Sequence, residues 1–218
     1  MQTLLRMPRA PLAFSLLSLS GVIVFALAVG VVMQPAAQVV GQERLSELVC
    51  LQLAFTPERA QSVLFAFSAE SRAAIAQLLI PGDAMLAWGY GLLLAGLTGL
   101  LAMRLPANWL RVGAIAMWIP LLASTLDCIE NVFLYAIVMG VVESPELPPV
   151  AMLTAIGGTV STLKWIALSV LTPAFGFAGI VKGFTVDRSF GSITVYVLLF
   201  VTLLSMVAKP IQDIPACF

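Results

Sequence analysis

Five apolar runs, separated by shorter polar stretches, organise the chain. They cover about residues 11–33, 84–103, 112–142, 150–181 and 190–208. A helix needs ~20 apolar residues to cross the hydrocarbon core of a bilayer. Within that core the backbone must bond to itself, which favours helices. Each run therefore predicts a spanning helix. The expected fold class is all-α: a polytopic transmembrane helix bundle of about five spans, forming one domain over residues 1–218.

Arg6 and Arg9 precede the first run, Pro11 to Met33. A signal peptide would be cleaved near Ala26-Leu27-Ala28, but Val29 to Met33 stay apolar beyond that point, which favours an uncleaved helix. Its Ala26-xxx-Gly30 spacing suits close helix approach. In the second run, Gly91, Ala95 and Gly99 predict a ridge of small residues. Trp88 and Tyr90 suit an outer membrane interface. Asp83, at the start of that run, reads first as a helix cap. The third and fourth runs are longer than one span at ~1.5 Å per residue. Pro120 and Pro173 offer places to bend.

Residues 34–82 are more polar. Thr56-Pro57 predicts a capped helix with proline in its first turn, and Ser68 caps a second, which Pro81-Gly82 ends. Apolar residues at helical spacing predict short amphipathic helices in the first outer loop, lying on the membrane surface or over the bundle mouth. A proline-rich acidic hairpin, Glu143 to Pro149, joins the third and fourth runs.

Composition sharpens this reading. The chain is 61% hydrophobic and 10% charged, against about 25% charge in an ordinary soluble domain. Its 11 basic and 11 acidic residues balance, which argues against a nucleic-acid partner. The sequence contains no histidine, which excludes His-ligated haem, His-based zinc sites and a Ser-His-Asp triad built from this chain. No metal site or cofactor is expected.

Basic residues in the short loops set the orientation. With the N-terminus inside, Arg6, Arg9, Arg104, Arg111, Lys182 and Arg188 all face inward, with Asp187 as the single acid. The expected location is a membrane of bacterial inner-membrane type, N-terminus cytoplasmic and C-terminus outside. Cys50 and Cys217 then share the outer, oxidising side and are candidates for a disulfide.

The candidate chemistry lies inside the runs. A charge at the bilayer centre costs at least ~2.5–3.5 kcal/mol on insertion scales. Yet Asp127, Glu130 and Asn131 occupy one face of the third run, and Lys164 interrupts the fourth. Ser124 and Tyr135 extend the acidic stripe, and Ser161 shares the face of Lys164. Counted from the connecting hairpin, Glu130 and Lys164 lie at one depth, about 20 Å from the outer helix ends, so a buried ion pair is expected. Two carboxylates against one ammonium leave a net −1, to be balanced by a proton, a cation or a polar ligand.

Asp127, Glu130, Asn131 and Lys164 are the expected ligand or proton site. Ser124, Tyr135, Ser161 and Asp83 are candidate lining residues. The function expected first is binding of a proton, a cation or a small amphiphilic ligand within the bundle. An accessory or assembly subunit with a structural ion pair is the alternative. A lipid-modifying enzyme ranks last, because no nucleophile–base pair is present. The expected partners are membrane lipids, with other membrane subunits or a second copy as further options.

Overall fold

The computed structural model describes residues 7–41 and 44–213, with side chains through residue 205. Cys217, expected to pair with Cys50, lies outside the described residues. Cys50 is disulfide-bonded and Cys128 is a free thiol.

The described residues form helices and no strands. In chain order they are α1 (Ala10–Leu27), α2 (Gln34–Val40), α3 (Glu47–Gln52), α4 (Pro57–Phe65), α5 (Ala69–Gln77), α6 (Ala84–Ala102), α7 (Leu110–Ala116), α8 (Ile119–Glu143), α9 (Ala151–Ile166), α10 (Thr172–Val186) and α11 (Phe190–Asp213). Four stretches are long and apolar enough to cross a membrane: Ala10–Val32, Ala69–Ala102, Ala107–Glu143 and Ala151–Val186. Phe190–Ser205 is a shorter apolar helix. The result is an all-α bundle of membrane type.

Small residues set how the bundle packs. A Cβ placed on Gly89 would sit 2.7 Å from the backbone nitrogen of Phe25, and one on Gly96 would sit 2.7 Å from the Phe14 carbonyl oxygen. The backbones of α1 and α6 thus touch, with Phe14 beside Gly99, Ser18 beside Gly96 and Phe25 beside Gly89. That pairing order makes the two helices antiparallel. The expected approach at Gly30 is not used, since nothing lies within 4 Å of its Cβ position. The Gly91–Gly99 ridge is divided instead: Gly91 faces Ser124 of α8 and Gly99 faces Phe14 of α1. Close contact favours glycine here because apolar helices in lipid gain by packing rather than by leaving water.

Prolines mark where the long runs change course. Pro120 stands in the first turn of α8, where a missing N–H costs nothing. The third run therefore breaks at Met117–Trp118 rather than kinking within a helix. Between α9 and α10 the helix widens to a π-turn over Ala167–Leu171, ahead of Pro173. The Ala167 carbonyl accepts from both the backbone N–H and the hydroxyl of Thr172, the latter at 2.8 Å. Between α5 and α6 the break is sharper. Ile80 is extended (φ −134°, ψ 117°) immediately before Pro81.

The polar segment forms the short helices expected of it. Thr56 caps α4 by accepting from the Arg59 N–H at 3.3 Å, and Ser68 caps α5 by accepting from the Ser71 N–H at 3.1 Å. Gly41, with φ 91°, ends α2 in a conformation that favours glycine. These helices pack against the C-terminal half of α8. Leu51, Leu64, Ile75 and Leu78 form one core cluster with Leu134, Ile137, Val138 and Val141 of α8. Phe55 packs on Gly158 of α9. Arg44 braces the segment through a 2.8 Å ion pair with Glu47 and lies over the Phe67 ring at 4.0 Å. Its guanidinium holds the Glu47 carboxyl below the usual carboxylate range. Thr56→Ala removes the α4 cap and is expected to lower stability by about 1 kcal/mol, read from the unfolding midpoint in detergent.

A second polar knot closes the opposite end. Ser192, 1% exposed, accepts from the Arg104 guanidinium at 2.7 Å and donates to Asp187. Asp187 also accepts from the Ser189 N–H at 2.9 Å. These hydrogen bonds, Ser192 first, hold its carboxyl below the ordinary range.

Candidate functional site

Helical spacing on α8 puts Asp127, Glu130 and Asn131 on its buried face, with exposures of 5%, 0% and 1%. The antiparallel α9 brings Lys164, 2% exposed, against them. Its Nζ lies 3.0 Å from Asp127 Oδ1 and 2.6 Å from Glu130 Oε2. The Asp127 contact is a hydrogen bond, whereas the Glu130 contact is an ion pair by distance whose angle makes no hydrogen bond. One ammonium thus bridges two acids, out of reach of bulk water.

Two further side chains complete the ammonium's surroundings. The Tyr90 hydroxyl of α6 donates to Asp127 Oδ2 at 2.7 Å. Tyr90 is 6% exposed and faces the core rather than the interface expected of it. Lys164 Nζ also donates to Gln52 Oε1 at 3.3 Å. Gln52 ends α3, in the segment expected to lie outside the bundle. It reaches the site because Leu48-Val49-Cys50-Leu51 before it and Leu53-Ala54-Phe55 after it are apolar and follow it inward.

The other expected residues divide into groups. Ser161 is fully buried beside the acids, with its hydroxyl turned to Glu130 but making no hydrogen bond of good geometry. Ser124 is fully buried, but its hydroxyl serves the Ala87 carbonyl at 2.7 Å and its own helix at Pro120. It joins α6 to α8 and takes no part in the ion pair. Tyr135 is 38% exposed on the outer surface of α8. Asp83 does not cap α6: its backbone is helical and its side chain makes no cap bond. It is turned toward Asn131, within Coulombic reach of Asp127 and Lys164.

Several buried polar atoms at this place make no hydrogen bond of good geometry: Glu130 Oε1, the Asn131 amide, the Ser161 hydroxyl and the Trp165 indole nitrogen, while Glu130 Oε2 is held by the Lys164 ammonium. A buried unpartnered polar group costs about 1–3 kcal/mol. A cavity of about 200 Å³ opens beside the cluster, lined by Gln52, Asp83, Met33, Leu48, Leu78 and Leu134 among others. Among the described residues, no three His, Cys, Asp or Glu side chains converge closely enough to hold a metal ion.

The arrangement can hold protons and hydrogen-bond a polar guest. Among the described residues Cys128 is a free thiol, and the sequence holds no histidine to act as its base. No known protein family matches the chain, and searches of curated proteins and of solved structures give no significant match.

Proposed function

We propose that this chain is a multi-pass membrane protein whose bundle carries a proton-binding site, with Asp127 and Glu130 as the exchanging acids and Lys164 as their fixed counter-charge. One observation carries the reading. Lys164 is the cation between Asp127 and Glu130, all three are buried, and Asp83 adds a third carboxyl within Coulombic reach. Were every group ionised, three negative charges would face one positive charge in a low-dielectric interior. Protons are the least costly remedy.

In infrared difference spectra across a pH step, the native protein is expected to show a carboxylic C=O band. Glu130→Gln or Asp127→Asn should remove or shift it. A native protein without any titrating carboxyl band would overturn the reading.

The orientation proposed places residues 34–82 and the 143–150 hairpin outside and Lys182 inside. Basic residues at the opposite end support it, as does the disulfide at Cys50, which suits an oxidising compartment. In a Cys128→Ser background, Glu146→Cys is expected to react with a membrane-impermeant thiol reagent on intact cells. Lys182→Cys should react only after permeabilisation. The reverse pattern would invert the topology.

A further inference from the structure

Asp83 is the acid that Lys164 does not neutralise. Lys164 pairs with Asp127 and Glu130, and Asp83 has no ion pair among the described residues. It stands on the wall of the 200 Å³ cavity, where Gln52 supplies a second polar group. The remaining lining residues, including Met33, Leu45, Leu48, Val49, Leu78, Leu79, are apolar.

A second observation lies at the same place. The Asn131 amide is 1% exposed, and neither its oxygen nor its nitrogen has a hydrogen-bond partner in good geometry. Its contact with the Asp83 carboxyl is a loose hydrogen-bonding one, and it does not itself line the cavity. The polar groups that face a guest are therefore Asp83 and the Gln52 amide. The guest must donate to a carboxylate and to an amide oxygen, and it must fill a small apolar chamber with an alkyl chain. Small-molecule sites combine an apolar lining with a few converging polar groups in this way.

We infer that the cavity binds a small amphiphilic ammonium ion, its charged head on Asp83 and Gln52 and its alkyl part among the leucines. The ammonium supplies three donors and one positive charge, and the Asp83 carboxylate and the Gln52 oxygen on the cavity wall are acceptors for them. The head neutralises the surplus acid, and the tail replaces empty space with contact. Charge-assisted hydrogen bonds to a carboxylate account for the selectivity for a cation over a neutral alcohol. The inference rests on the proposed site in one respect: Lys164 must stay committed to Asp127 and Glu130, leaving Asp83 free.

The test uses the full chain in phosphatidylcholine nanodiscs, with hexylammonium as the probe and hexanol and hexanoate as controls, read by calorimetry. Saturable binding of hexylammonium alone is expected. Asp83→Asn should weaken it about tenfold or more. Leu48→Phe, which narrows the chamber without touching an acid, should weaken it too. Equal binding of hexanol, or native binding by Asp83→Asn in a monodisperse protein, would overturn the inference. Nanodiscs containing phosphatidylethanolamine separate two sources of the same head group. Competition by that lipid identifies a lipid amine as the occupant, and absence of competition identifies a free amine. A native protein whose carboxyl band titrates normally but which binds no hexylammonium refutes this site while leaving the proton-binding reading intact. A protein with neither property refutes both.

Discussion

Lys164→Met is expected to lower stability by about 3–5 kcal/mol, because it strands two acids in a low-dielectric interior. The pair itself is a weak source of stability, since desolvating three charged groups offsets most of their attraction. What matters is the asymmetry of removing one member. Asp127 and Glu130 are both buried, and Lys164 supplies the ion pair of each. The triple variant Lys164→Met, Asp127→Asn, Glu130→Gln carries no stranded charge there and should recover most of the loss. Thermal unfolding in detergent measures all the variants. A triple variant as unstable as the single one would show that the loss comes from packing around the lysine stem rather than from charge.

The second large effect is steric. Gly89→Leu drives a side chain into the backbone of α1, where the first added carbon already lies 2.7 Å from the Phe25 nitrogen and 2.8 Å from its Cα. Backbone cannot rotate aside as a side chain does. Overpacking costs typically about 1–3 kcal/mol when side chains yield, and the expected loss here exceeds that range. Gly30→Leu and Gly140→Leu are the matched controls. Nothing lies within 4 Å of either Cβ position, so both should stay within about 0.5 kcal/mol of the native protein. Unfolding midpoints of the three variants decide whether contact or composition governs.

Much of the architecture was legible along the chain, because a spanning helix is specified by local apolar content. The acid stripe was legible for the same reason: Asp127, Glu130 and Asn131 belong to one helix, and a three-to-four residue period puts them on one face. Lys164 could be matched to them because a short hairpin fixes relative depth. The contributions of Gln52 and Tyr90 were not legible, and Asp83 was legible only as a candidate lining residue whose first reading was a helix cap. Gln52 sits in a stretch whose charges suggest water, and only the tertiary path of α3 carries it inward. A signal did exist, a single glutamine within an eight-residue apolar run from Leu48 to Phe55. Asp83 and Tyr90 are seven residues apart, two helical turns, and so share a face. Each alone has an ordinary reading, as a cap and as an interface aromatic, and those readings hide the pair. The break at Ile80 was anticipated as an end of a helix, but its effect of turning Asp83 inward depends on contacts with α8 that local sequence does not encode.

The reach of Gln52 to Lys164 also dictates an order of assembly during synthesis. The two residues are 112 positions apart, and Phe55 likewise seats on Gly158. When the ribosome has released α3 and α4, the surfaces they will occupy do not yet exist. The early helices lack these contacts until the later hairpin has been made. Nascent chains ending before that hairpin would display Phe55 and its neighbours naked to chaperones and proteases, which makes the α8–α9 insertion the committing event in biogenesis.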